Sequence, residues 1–223
     1  VGHDLGIDTL GEYAHELGLG VSTGIELVET TGNMSNAANH MDYAGTEWRI
    51  GDTLQAAIGQ SDSVFTPLQL AEYCAAVANN GERHSASILK SVRSYDYSEQ
   101  IYDRQDEVLS TVESPQYNWD AIHEGMKLVL NDPINETNYL NFYDCAVTVA
   151  GKTGTAQKGE GIKNDGLFIC YAPYEDPEIA VAVVVERGHA GASVGFIARQ
   201  IIDVYLNIRS YSNTSESEMS LLK

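Results

Sequence analysis

Apolar residues recur at helical spacing over residues 7–17, where Ile7, Leu10, Tyr13, Ala14 and Leu17 share a face and Gly18-Leu19-Gly20 ends the run. Residues 23–29 alternate and predict a short strand. Residues 30–47 are rich in Asn, Gly, Ser and Thr and show no period, which predicts a long loop of the kind often found beside binding sites. Asp52 is placed to cap a helix running through Ile58. Thr66-Pro67 opens another, with Thr66 as N-cap and Pro67 in the first turn. That helix carries Leu68, Leu70, Ala71, Cys74, Ala75 and Val77 and stops near Asn79-Asn80-Gly81; its small apolar side chains predict burial on most sides. Residues 87–96 and 100–106 predict two short strands joined at Tyr97-Ser98, and Ser114-Pro115 starts a helix with Ile122, Met126, Val129 and Leu130 as its inner stripe. Residues 131–144 predict a loop.

The last third changes character. Residues 146–155, 166–172 and 179–186 are short and largely apolar, rich in β-branched residues in the first and last, with turn signals at Lys158-Gly159 and over 173–177. A closing helix over 195–207 carries Phe196, Ile197, Ile201, Ile202, Val204 and Tyr205. Three antiparallel strands followed by a helix, with helices before them, define an α+β layout, an antiparallel sheet packed with helices. Residues 1–209 form the folded portion, and the polar, Ser-rich residues 210–223 predict a flexible tail.

Composition narrows the function classes. The 32 Asp and Glu against 13 Lys and Arg leave a formal charge of −19. A surface that negative repels phosphate backbones and anionic lipid, which excludes nucleic acid and a polybasic membrane-surface mode. Hydrophobic residues at 43% and charged residues at 20% exclude global disorder. No apolar run approaches the roughly 20 residues that span a bilayer. The chain opens on Val1-Gly2-His3-Asp4, without an initiator Met or a signal-peptide pattern, and reads as a processed or truncated product. Cys74, Cys145 and Cys170 are odd in number and widely spaced, so each reads as a small buried hydrophobe. His3, His15, His40, His84, His123 and His189 show no paired ligand spacing and read as solvated surface; no metal or cofactor is expected.

The chemistry concentrates at Lys152-Thr153-Gly154-Thr155. On a strand, Lys152 and Gly154 face opposite to Thr153 and Thr155. Gly154 permits close approach of another backbone or a ligand. A positive charge beside two hydroxyl donors suits a carboxylate, and the Thr155 backbone N–H could point at a developing oxyanion.

Lys-Thr-Gly is one of three motifs of the serine β-lactamase and penicillin-binding-protein superfamily, beside Ser-x-x-Lys and a Ser-x-Asn element. Nearly the whole chain resembles the transpeptidase domain of high-molecular-weight, class B penicillin-binding proteins. Leu5-Gly6-Ile7-Asp8, Thr23-Gly24-Ile25, Gly51-Asp52-Thr53 through Gly59-Gln60, Thr66-Pro67-Leu68-Gln69-Leu70-Ala71, Ala78-Asn79-Asn80-Gly81, Glu124-Gly125-Met126 and Tyr171-Ala172-Pro173 are similar to family landmarks, in order. The resemblance implies a D,D-transpeptidase that cross-links peptidoglycan stem peptides. A serine attacks the penultimate D-Ala carbonyl of a D-Ala-D-Ala terminus, and β-lactams acylate the same serine. Lys152, Thr153, Gly154 and Thr155 would bind the carboxylate of substrate or antibiotic, with the Thr155 N–H as half of the oxyanion hole. The domain would lie on the outer face of the bacterial membrane, its parent anchored by an upstream transmembrane helix.

The same resemblance places the nucleophile, its lysine base and the Ser-x-Asn element before residue 1, so no catalytic nucleophile is assigned and the N-terminal part of the domain is expected to be absent. Ser87-Ile88-Leu89-Lys90 matches Ser-x-x-Lys but follows landmarks that the family's motif precedes, in a strand-like stretch where Ser and Lys would not share a helical face. Ser35-Asn36-Ala37 lacks the Ser-x-Asn spacing. A chain so cut is expected to be inactive alone, and marginally stable or self-associating through the face left open. The rival readings are a β-lactamase or β-lactam sensor, against which residues 51–71 argue, and a nucleophile-less module binding peptides or partners.

Overall fold

The computed structural model describes residues 1–159 and 161–219, with side-chain environments through residue 207. The chain falls into two compact units, Val1–Trp119 and Asp120–Lys223. The first holds α1 (Gly2–Leu5), α2 (Ile7–Glu16), α3 (Ala37–Ala44), α4 (Ile50–Ala56), α5 (Pro67–Ala78), β1 (Glu82–His84), β2 (Ser91–Arg93), β3 (Gln100–Asp103) and β4 (Val108–Thr111). α6 (Gln116–Asn131) begins in this unit and ends in the second, which continues with a 3₁₀ turn (Pro133–Asn135), α7 (Glu136–Phe142), β5 (Ala150–Ala156), β6 (Asp165–Ala172), β7 (Ile179–Val185), a 3₁₀ turn (Gly191–Ser193) and α8 (Gly195–Met219). Helices and antiparallel sheets together make the mixed α+β architecture that the hydrophobic pattern predicts.

In the first unit α5 forms as its sequence dictates. Thr66 Oγ1 accepts the Gln69 N–H at 3.2 Å while Gln69 Oε1 accepts the Thr66 N–H at 3.0 Å, a reciprocal capping box. Cys74, Ala76, Val77 and Ala78 are buried. Gln69 is itself fully buried, and its Nε2 donates to the carbonyls of Val21 at 2.7 Å and Thr31 at 2.8 Å. Those bonds hold backbone that is not in a sheet. The strand expected over 23–29 is absent. Gly24 adopts φ 78°, and the Glu29 carboxylate accepts the Thr23 N–H at 3.0 Å and the Thr23 hydroxyl at 2.8 Å, replacing a ladder with a side-chain-closed loop.

The loop expected over 30–47 contains α3. Asn36 Oδ1 caps it, accepting the N–H groups of Ala38 at 2.9 Å and Asn39 at 3.0 Å, and Gly45 ends it at φ 67°. α4 starts two residues before Asp52, whose carboxylate accepts the Arg49 N–H at 2.7 Å from inside the first turn, and it ends at Ala56 rather than Ile58. β2 and β3 pair antiparallel, shorter than expected, with Val92 opposite Tyr102. β1 and β4, three and four residues long, pair with Arg83 opposite Ser110.

The second unit is built on the antiparallel sheet β5-β6-β7. Phe168, Cys170 and Ala172 of β6 share a face with Val181 and Val183 of β7, and bury against Ala198 and Ile202 of α8, Leu130 of α6 and Phe142 of α7. The loop expected over 131–144 is mostly helical, with a 3₁₀ turn leading into α7, because Phe142 has a core site: its ring stacks on Phe168, centroids 5.7 Å apart at 5°. Arg199 of α8 locks the end of α7, donating to Asn141 O at 3.0 Å and pairing with Asp144 Oδ1 at 2.7 Å. The tail expected over 210–223 falls on positions whose side chains, and from 220 whose backbone, lie outside the described residues.

Candidate active site

β5 carries the motif and, among the described residues, pairs on one side only, with β6. Its register is Lys152 opposite Ile169, Thr153 opposite Phe168, Gly154 opposite Leu167 and Thr155 opposite Gly166. Ala150 and Gly151 are buried, so the strand is anchored at its start. Lys152 and Thr155 are exposed, with Thr153 and Gly154 half-buried between them. The side chains expected to hold a carboxylate thus emerge along an open strand edge from a buried root.

Lys152 Nζ donates to the Thr153 carbonyl at 2.7 Å. Among the described residues no carboxylate lies within ion-pair distance of it. Lys158, six residues further on, is by contrast paired: its Nζ lies 2.7 Å from Asp165 Oδ2. The Asp165 carboxylate raises the Lys158 pKa, and Asp165 is held below the usual carboxylate range by that ammonium and by the Arg187 N–H. Lys152 therefore stands as an un-neutralised cation on a strand of an acidic chain.

Gly154 lies under a second glycine. A Cβ on Gly191 would sit 2.2 Å from the Leu167 carbonyl and 2.6 Å from both N and O of Gly154, so only glycine lets the turn after β7 rest on the motif strand. The hydrophobic pattern reveals neither this contact nor the Asp165 ties. A carboxylate at the first position of β6, just before Gly166, was the available signal.

The strings set aside in the sequence sit on other elements. Ser87 precedes β2 on irregular backbone, where its hydroxyl donates to Glu26 and accepts the Leu89 N–H at 3.1 Å; Ile88, Leu89 and Lys90 are exposed, and no helix joins Ser87 to Lys90. Ser35 is buried against Ser63, its Oγ accepting at 2.9 Å, and Asn36 caps α3. Of the six histidines, His40 departs from the expected solvated surface. It is buried, with Nδ1 on the Asp62 carboxylate, Nε2 3.2 Å from Thr46 Oγ1 and its ring edge-on to Trp48 at 5.1 Å. Two polar partners satisfy both ring nitrogens, which is what lets an imidazole leave water. Cys74 and Cys170 are fully buried, and burial pushes the Cys74 thiol up to about 12, an inert packing role. Among the described residues no group of His, Cys, Asp and Glu is arranged to hold a metal ion, and no helix is long and apolar enough to cross a membrane.

Comparison with known proteins identifies the family of the chain. A family model described as the penicillin binding protein transpeptidase domain matches residues 1–203, and the chain belongs to that family. It is 32% identical over 227 residues to the peptidoglycan D,D-transpeptidase MrdA of Haemophilus influenzae, covering 94% of this chain and 34% of that protein. It is 32% identical over 223 residues to penicillin-binding protein 2A of Bacillus subtilis, covering 91% and 29%. Among solved structures it matches the complex between PBP2 and MreC from Helicobacter pylori with a TM-score of 0.78 at 27% identity, covering 93% of this chain and 37% of that one. Pseudomonas aeruginosa PBP2 in complex with WCK 5153 matches with a TM-score of 0.77 at 29% identity, covering 92% and 45%. The chain spans about a third of the length of the curated relatives it matches.

Proposed function

We propose that this chain supplies the carboxylate-binding and oxyanion-binding wall of a peptidoglycan D,D-transpeptidase. The observation that carries the reading is the un-neutralised Lys152 beside Thr153 and Thr155 on an open strand edge, in a chain of the transpeptidase family. Lys152 and the two threonines hold the C-terminal carboxylate of a D-Ala-D-Ala stem peptide, or of a β-lactam that mimics it. The Thr155 N–H receives the carbonyl oxygen as negative charge develops on it. The acylated serine and its lysine base come from sequence outside these residues; the serine attacks the penultimate carbonyl, terminal D-Ala leaves as the amine, and an amine of a neighbouring peptide takes the acyl group. The whole protein works on the outer face of the bacterial membrane.

Labelling with a fluorescent penicillin tests the reading. Residues 1–223 alone are expected to form no covalent adduct, and a longer chain that includes the upstream sequence is expected to form one. In the longer chain, Lys152→Ala lowers the acylation rate by roughly 100-fold or more, the usual scale for losing a charged substrate contact at such a site. Stoichiometric labelling of 1–223 would place the nucleophile within it; an unlabelled longer chain would overturn the transpeptidase reading.

A further inference from the structure

Asp165 opens β6 directly opposite Ala156, one register step beyond Thr155. Its side chain is 10% exposed and uses both oxygens. Oδ2 accepts from Lys158 Nζ at 2.7 Å, and Oδ1 accepts from the Arg187 backbone N–H at 2.9 Å. The two donors belong to different segments: Lys158 lies on the connection leaving β5, Arg187 on the turn leaving β7. One carboxylate therefore ties the exit of the motif strand to the exit of β7.

The turn needs such a tie. Arg187 and His189 have φ 56° and 70°, left-handed conformations that strain side-chain-bearing residues. Two bonds from the start of β6 hold it there, Arg187 N–H to Asp165 and His189 N–H to the Asn164 carbonyl at 3.0 Å. The turn then delivers Ala190 and Gly191 onto the sheet. A Cβ on Gly166 would meet the Ala190 carbonyl at 2.8 Å, and the Gly191 backbone rests on Gly154. The path from Asp165 through the 187–191 turn ends at the peptide between Gly154 and Thr155.

We propose that Asp165 is a positioning residue for the transpeptidase strand: by tying the β5 exit to the 187–191 turn, it sets the placement of the Gly154–Thr155 peptide. This rests on the transpeptidase reading above. Asp165 touches no substrate. Its effect falls on Thr155, one register step away, more than on Lys152, four residues from Ala156. Losing it therefore disturbs oxyanion stabilisation during acylation while leaving carboxylate capture by Lys152 largely intact. In that step the serine Oγ–C bond forms, the lactam C–N bond breaks and the serine proton ends on the lactam nitrogen.

The test is stopped-flow acylation by a penicillin of the longer chain that carries the nucleophile, resolving the pre-covalent Kd from the acylation rate constant. Asp165→Ala is expected to lower the rate constant by roughly 10- to 100-fold, the cost of an oxyanion donor displaced by about 1 Å, with Kd changed by no more than about threefold. Asp165→Asn, whose Oδ1 still accepts the Arg187 N–H but whose amide nitrogen cannot accept from Lys158, is expected to lower the rate constant several-fold, as Lys158→Met does. Lys158→Met, at a side chain 48% exposed, opens no cavity and is expected to lower the rate constant several-fold. If Asp165→Ala does not fold, Lys158→Met decides. An unchanged acylation rate constant in a folded Asp165→Ala or Lys158→Met variant overturns the positioning role and leaves the transpeptidase reading standing. A parallel rise in Kd also overturns it, since that is general disruption of the site. A wild-type longer chain that is never acylated overturns the transpeptidase reading itself, and the Asp165 role with it.

Discussion

At the scale of single residues, two buried positions carry the sharpest consequences. Glu72 on α5 is 8% exposed, and its nearest cation, Arg83 Nη1, stands 3.5 Å away, too far for a tight charge-assisted bond. Burial pushes its carboxyl up to about 7, with Arg83 pulling the other way. The folded state thus holds a proton that the unfolded chain releases near 4.5. Stability from this group is present below the unfolded value and is lost as pH rises through about 7. The urea midpoint is expected to fall between about pH 5 and about pH 8, by no more than about 3 kcal/mol from this group, and Glu72→Gln is expected to flatten that slope. A wild-type midpoint that rises over the same range contradicts the assignment. Gly191 is the second. Because the atoms a Cβ would strike belong to the backbone of Leu167 and Gly154, Gly191→Ala must push the turn off the motif strand. It is expected to cost about 1–3 kcal/mol by thermal or urea unfolding and to slow penicillin acylation in the longer chain.

At the scale of elements, stability depends on side chains that replace missing secondary structure. Gln69 does this most visibly, since its amide supplies two donors to the Val21 and Thr31 carbonyls across an irregular segment. Gln69→Leu keeps the volume and removes the donors, so it is expected to cost about 2–4 kcal/mol, read as a lower urea midpoint, whereas Gln69→Glu keeps only the capping acceptor. The same device explains what the hydrophobic pattern could and could not show. α5 and the β5-β6-β7 meander were legible because their signals are local: Thr-Pro-x-x-Gln at one end of a helix, and apolar runs between turn residues. α3 and α7 hid behind polar composition, although the Asn36 cap and Gly45 stop of α3 were there to be seen. α7 is helical because Phe142 meets Phe168, a contact 26 residues away that no window contains. Residues 23–29 alternate like a strand, yet Glu29 turns back to satisfy Thr23, so the pattern was real and its partner was a side chain. Lys152, Thr153, Gly154 and Thr155 were found by motif. Asp165 was not, since its role exists only once residue 187 is brought beside it, and His40 left the surface only because Asp62 and Thr46 satisfy its ring.

At the scale of the whole molecule, two features oppose each other. β7 (Ile-Ala-Val-Ala-Val-Val-Val) is paired, among the described residues, with β6 alone, so one edge of an apolar strand presents unsatisfied ladder positions. Val184 on the same strand is 39% exposed, on the face it shares with Leu167. Such an edge favours pairing with another strand. The formal charge of −19 resists it, because two copies of this chain repel. Salt decides between them, since it screens the repulsion and leaves edge pairing nearly untouched. Residues 1–223 are therefore expected to sediment as monomer at low ionic strength and to associate as salt is raised, with the weight-average mass also rising with protein concentration. Val184→Lys places a charge on the open strand and is expected to suppress the association at every salt, as is the longer chain if its added sequence covers β7. A monodisperse, cooperatively melting monomer at high salt would show that the β7 edge drives nothing, and association that weakens with salt would assign it instead to charge pairing between copies.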